Sequence, residues 1–202
     1  MSVSALRRIH AAALIALFWT GGPLVAADFQ AGVARVKITP DLPFWMSGYA
    51  ARTRPADGVE QDLWAKALAL RDPGGQTVVI VTTDLIGLPR AISDEVAAQV
   101  EARFGIRREQ LLLSASHTHC GPAVRKNLGV LYDFDEEDRG RVDAYGALLV
   151  DRLVGVTGAA LSSLAPARLS VGHGSVGFEI RRKSQSRRLD GMLNCSNRRG
   201  LR

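Results

Sequence analysis

One pattern constrains this chain more than any other: a strand, a helix and a second strand in close succession. Thr77 to Leu85, "TVVIVTTDL", contains the unbroken β-branched run Val78 to Val81. Such a run predicts a strand buried on both faces. In "PRAISDEVAAQVEARFG" the residues Ile92, Val96, Val100 and Phe104 recur every four positions, and Gly105 stands where a helix would stop. "QLLLSAS", Gln110 to Ser116, is again a short apolar strand. Strand, helix and strand make a βαβ unit, so the second strand is expected to lie parallel to the first in one sheet.

The flanking segments extend that sheet. "AGVARVKITP" reads as an early strand before Pro40. "LWAKALALRD", "PGGQ" and "TVVIVTTDL" read as a hairpin with its turn at Asp72-Pro73-Gly74-Gly75. Residues 40–62 are rich in Pro, Gly and Asp and read as a long loop, which Phe44, Trp45 and Tyr49 would keep ordered. Those aromatics either border a lipid-accepting cleft or pin the loop to the core. After the acidic loop "YDFDEED", Val142, Tyr145, Leu149, Leu153, Val156, Ala160 and Leu164 mark a long amphipathic helix, in which Gly155 and Gly158 suggest close packing. "ARLSVGHGSVGFEI" reads as a further strand. The fold class expected is α/β, a layered mixed sheet with a βαβ unit and flanking helices.

The two ends differ from the body. Residues 1–27 have the form of a signal peptide: Arg7 and Arg8, then the apolar "AAALIALFW", then small residues at Val25 and Ala27. An uncleaved anchoring helix is the alternative. No later run reads as long and apolar enough to span a bilayer. The expected location is secreted or periplasmic. The net charge of +6 is concentrated at the ends. Residues 181–202 hold eight basic groups against the single acid Asp190, whereas the body, 28–180, is net acidic. A nucleic-acid-binding domain would carry its positive patch on the folded part, so nucleic acid is not an expected partner. Export would permit a bridge between Cys120 and Cys195, which stays open and unsupported because Cys195 lies in the basic tail and Cys120 directly follows His119.

The chemistry concentrates in "LLLSASHTHCGP". Two of only four histidines, His117 and His119, follow the second strand of the βαβ unit. Ligands of open α/β sheets bind beyond the carboxyl ends of parallel strands. Asp84, His117 and His119 should therefore meet at one sheet edge. Two histidines at i and i+2 on extended backbone point to one side and could share a metal, or one could ligate while the other meets substrate. Zinc suits imidazole, and Asp84 is a candidate partner for the second ring nitrogen. A solvated turn capped by Gly121-Pro122 accounts for the pair equally well at this level, because H-x-H is a weak motif. A metallo-β-lactamase-like run would need Asp-His where Gly121-Pro122 stand, and an amidohydrolase barrel would place H-x-H on its first strand. His173 reads as a solvent-facing strand residue, and His10 belongs to the leader.

"GVARVKITP", "MSGYAARTRPADGV", "LWAKALAL", "VVIVTTDLIGLP" and "LLLSASHTHCGP", in this order and spacing, resemble the N-terminal part of the neutral/alkaline non-lysosomal ceramidase family. The resemblance runs from about Gly32 to Phe178. It implies a zinc amidase acting on a lipid-like N-acyl amide, ceramide among them, with peripheral membrane contact compatible with such a substrate. It implies that His117 is a zinc ligand and that His119 sits beside the zinc, contacting substrate or the developing oxyanion. Arg181 or Arg182 would be the remnant of a substrate-binding Asn-Arg stretch.

This chain also departs from the family pattern. Further zinc ligands (a histidine, a glutamate and a tyrosine) and a catalytic serine, which the family places downstream, have no match here. Cys120 stands where Ser is common, and Glu60-Gln61 replaces His-Asp. The expected organisation is a leader over 1–27, a partial ceramidase-like domain over 28–180, and a basic tail over 181–202 that is either disordered or the product of a broken reading frame. The competing functional reading is a catalytically inactive exported binding protein or truncated gene product. A third, anionic-membrane or nucleic-acid binding through the tail, rests on charge alone.

Overall fold

A computed structural model describes residues 29–175 apart from 126 and 128. The leader, Arg182, Cys195 and the basic tail lie outside the described residues. Five strands form one mixed sheet: β1 (Phe29–Lys37), β2 (Trp64–Arg71), β3 (Thr77–Thr83), β4 (Leu111–Ala115) and β5 (Ala165–Ala167), in the order β4-β3-β2-β1-β5. Two helices accompany them, α1 (Arg90–Phe104) and α2 (Glu136–Ser162). The β3-α1-β4 unit is as expected: β3 and β4 run parallel, and every other pair is antiparallel. The hairpin turn also forms as read. Gly75 N donates to Asp72 O at 3.0 Å, and Asp72 Oδ1 accepts from Gln76 N at 2.7 Å.

Burial alternates along β3, and this corrects the reading of a strand covered on both faces. Thr77, Val79, Val81 and Thr83 are buried, while Val78 is 45% exposed. The reason is where the helices lie. α2 packs across β1 and β2, and α1 packs on α2, all on one face. Small side chains on that face, Ala65, Ala67 and Ala69 of β2, let α2 approach closely and are buried beneath it. Ile92, Val96 and Val100 of α1 and Leu149, Leu153 and Val154 of α2 complete this core. On the other face Val33 and Leu112 are exposed.

α2 begins inside the acidic stretch that reads as a loop. Asp135 is its N-cap, with Oδ1 accepting from Asp138 N at 2.7 Å, and Glu136, Glu137 and Asp138 occupy the first turn. Acids there are favoured by the unpaired N–H groups and the helix dipole. Tyr132 and Phe134, within the same stretch, are buried. By length and composition α2 could cross a membrane, with an apolar window of mean hydropathy 1.3, contrary to the expectation that no such run follows the leader. Here its apolar face is spent on the sheet and α1. Gly158 packs closely, as expected, because a Cβ there would stand 2.5 Å from the Phe104 ring; Gly155 faces open space. The strand read over 167–180 is a correction as far as residue 175, and 176–180 lie outside the described residues. β5 ends at Ala167, and residues 168–175, His173 included, are non-strand; 171–175 are exposed. Gly172 and Gly174 add no side chain that could pack there.

Candidate functional site

The parallel pair β3-β4 delivers both chain ends to one place. Thr83 pairs with Ala115, and Ser116 N donates to Thr83 O at 3.0 Å, one step beyond the ladder. His117 then leaves the sheet with φ of 59°. A left-handed backbone at a non-glycine residue costs on the order of 1–2 kcal/mol. The histidines are therefore not joined by extended backbone, and the alternation argument does not explain their proximity. Their rings nevertheless meet edge to face with centroids 5.1 Å apart.

His117 Nδ1 lies 2.8 Å from Ile86 O. A carbonyl can only accept, so Nδ1 carries the proton, and in the neutral ring the lone pair is the one on Nε2. This hydrogen bond fixes the ring in the orientation and tautomer that a ligating imidazole needs. Asp84 does not play that part. Its Oδ2 accepts from Trp64 N at 2.9 Å, and its own N donates to Trp64 O at 3.0 Å, so it closes the end of the β2-β3 hairpin. The partner of His117 is a backbone carbonyl, which no residue type in the sequence announces.

Around His119 the loop 40–62 is folded in. Residues 45–47 lie antiparallel to 121–123: Ala123 N donates to Trp45 O at 2.7 Å, Ser47 N to Gly121 O at 2.8 Å, and Met46 bridges to Pro122. Phe44 and Trp45 are both buried. Trp45 packs on Tyr132 and Phe134 and donates Nε1–H to Asp138 Oδ2 at 2.7 Å. Of the two readings of these aromatics, pinning the loop to the core holds for Trp45, whereas Phe44 is buried and also lines a cleft behind the histidine segment. Gly48 sits under the His119 ring with φ of 110°, and a Cβ there would come within 2.6 Å of His119 Cγ. Its N–H donates to the Tyr132 hydroxyl at 2.8 Å. The Tyr49 ring meets the His119 ring edge-on, with centroids 4.9 Å apart.

Arg52 completes this surround. Its Nη2 donates to His119 O at 2.6 Å, and the guanidinium lies 5.2 Å from the Tyr49 ring centroid. Partial burial lowers its pKa from the ordinary arginine value, opposed by Tyr132 and Tyr49. It stays charged at neutral pH because that ordinary value is so high. From sequence neither Gly48 nor Arg52 reads as a site residue, and Tyr49 reads only as bordering a cleft or pinning the loop. The glycine within "MSGYAAR" is a visible signal for close approach, while nothing in the sequence singles out Arg52. Behind the histidine segment lies a cleft of about 780 Å³, walled by loop 40–62 and by Asp84, Ser116, Thr118 and Cys120. Neither histidine lines it.

Comparison with known proteins decides the kinship. The family described as neutral/alkaline non-lysosomal ceramidase, N-terminal, matches residues 29–187. The chain belongs to this family. The rice neutral ceramidase is 29% identical over 102 residues, 49% of this chain and 13% of that protein. Neutral ceramidase 2 of Arabidopsis thaliana is 32% identical over 94 residues, 45% of this chain and 12% of that one. The crystal structure of neutral ceramidase from Pseudomonas aeruginosa superposes with a TM-score of 0.56 at 26% identity, over 69% of this chain and 22% of that chain. This chain thus spans less than a quarter of the length of these ceramidases. The mixed sheet with helices is the fold of their N-terminal domain.

The family implies a metal. Among the described residues no group of three or more His, Cys, Asp or Glu side chains is placed to hold one. His117, with Nε2 left to accept a cation, fits as one ligand. The described residues do not make a complete ceramidase metal centre. Arg182, the proposed substrate contact, lies outside the described residues.

Proposed function

We propose that this chain carries the histidine wall of a ceramidase-type hydrolase that cleaves an N-acyl amide, ceramide or a similar lipid amide, in a secreted or periplasmic setting. The observation that carries the reading is the His117 Nδ1 to Ile86 O hydrogen bond, because it presents Nε2 for ligation at the carboxyl edge of the parallel strands. Zinc, when bound, would supply a Lewis acid for amide hydrolysis. The residues of this chain do the rest that can be assigned to it: His117 offers one ligand, and His119 offers a ring N–H beside it for an oxyanion. The remaining ligands and the serine would come from residues beyond those described. A membrane-embedded substrate would reach such a site by peripheral contact of the protein with the bilayer.

A catalytically inactive binding protein is the second reading, favoured by the absence of a three-ligand group among the described residues. Hydrolysis of a fluorescent short-chain ceramide by the gene product that carries this chain separates the two. The hydrolase reading expects zinc-dependent turnover that falls roughly 100-fold or more in His117→Ala, as loss of a metal ligand or its support does. Retention of the lipid without turnover, with or without zinc, supports the binding protein instead.

A further inference from the structure

We infer that Arg52 is a positioning residue for His119, acting through the peptide carbonyl of that histidine and through Tyr49. The inference rests on the proposed reading only in giving the His119 ring a task; the geometry itself is independent of it. His119 is held on three sides. Gly48 lies beneath the ring, so close that no side chain fits. Tyr49 meets it edge-on at 4.9 Å. The His117 ring stands 5.1 Å away on the third side.

Gly48 and Tyr49 belong to loop 40–62 and His119 to the segment after β4, so something must hold the two together at this point. The backbone ties between the loop and that segment run from Trp45–Ser47 to Gly121–Ala123, and they stop short of Gly48. Arg52 spans the remainder. Its Nη2 reaches His119 O at 2.6 Å, across 67 residues of sequence. Nη1 touches Met46 Sδ at 3.8 Å, and the plane covers Tyr49. Arg52 N also donates to Tyr49 O at 3.2 Å, which turns the loop so that Tyr49 and the guanidinium face the same histidine. A charged donor on a neutral carbonyl is among the stronger hydrogen bonds, and a guanidinium over an aromatic ring adds a cation–π attraction. Arginine suits the position because its planar fork can donate to a carbonyl and cover a ring at once, which a lysine ammonium does less well. One cost is visible: Nε is buried with no hydrogen-bond partner, which marks the side chain as held for its far end.

The test is aromatic NMR on the uniformly labelled 202-residue chain, reading the cross-peak between the Tyr49 and His119 ring protons. Thermal unfolding and the amide spectrum of the sheet serve as fold controls. In Arg52→Met the cross-peak should be lost and the His119 ring signals should shift, while the His117 Nδ1–H, bonded to Ile86 O, keeps its slow exchange with solvent. Arg52→Lys, keeping the charge and one donor, should restore part of the cross-peak. A purely structural role would lower the melting temperature and leave the ring cross-peak at full intensity; that result overturns the inference. Should Arg52→Met fail to fold, Arg52→Gln, which stays polar but is too short to reach the carbonyl, is read the same way. An intact cross-peak there is equally decisive against it. No outcome depends on hydrolysis or on zinc, so failure here and failure of the proposed function are separately visible.

Discussion

His117 occupies a left-handed backbone conformation while its ring nitrogen is tied to Ile86 O, and these two facts explain each other. The turn after β4 swings the imidazole back toward the segment following β3, and the hydrogen bond offsets some of the strain. Gly48 is the matching feature on the facing loop. Gly48→Ala should cost about 1–2 kcal/mol in urea unfolding from its φ alone. It should also move the His119 ring signals, since its Cβ would overlap that ring. Tyr145 gives a pH-dependent test. Its hydroxyl donates to Ile38 O at 2.6 Å, and burial raises its pKa well above the ordinary tyrosine value. A raised pKa means the folded state holds the proton more tightly than the unfolded chain. The contribution of this group to stability is thus fully present and constant below about pH 10 and is lost as pH rises past that point. Tyr145→Phe should lose about 1 kcal/mol at pH 7 and show a flatter decline in stability between about pH 10 and 12. At this scale the sequence showed the histidines and not their supports. "HTH" is visible as residue types, whereas a carbonyl at Ile86 and the reach of Arg52 exist only once two loops are folded together.

At the scale of elements the helices act on one face of the sheet only. Leu153 of α2 is fully buried, whereas Leu112 of β4 is 57% exposed. Leu153→Ala should cost about 2–5 kcal/mol and Leu112→Ala within about 0.5 kcal/mol, measured by urea denaturation of the same chain. Asp135→Ala should cost about 1 kcal/mol through loss of the α2 cap. Periodicity made the βαβ unit, the hairpin and both helices legible, because a 3.6-residue repeat and a turn such as Asp-Pro-Gly-Gly are local signals. The burial of β3 was not legible. An unbroken β-branched run fits a strand covered on one face or on two, and which applies depends on where the helices dock. The start of α2 was hidden for a related reason: acids that read as a solvated loop are also what the first turn of a helix favours.

Over the whole molecule, the sheet brings the ends of β3 and β4 together and loop 40–62 closes over the result. Kinship with the neutral ceramidases was legible through ordered motifs distributed along the sheet and its loops, and the matched span confirms it. Asp84, by contrast, lies at the expected edge and is spent on closing a hairpin, because a carboxylate beside an unpaired backbone N–H is drawn to it. What remains central is whether His117 is poised as a ligand. Long-range proton–nitrogen NMR of the histidine rings, before and after zinc is added to the 202-residue chain, asks this directly. The expected result is His117 protonated on Nδ1 without metal, with its Nε2 resonance moving on zinc addition and its Nδ1–H retained. A proton on Nε2, or a His117 spectrum indifferent to zinc, would contradict it.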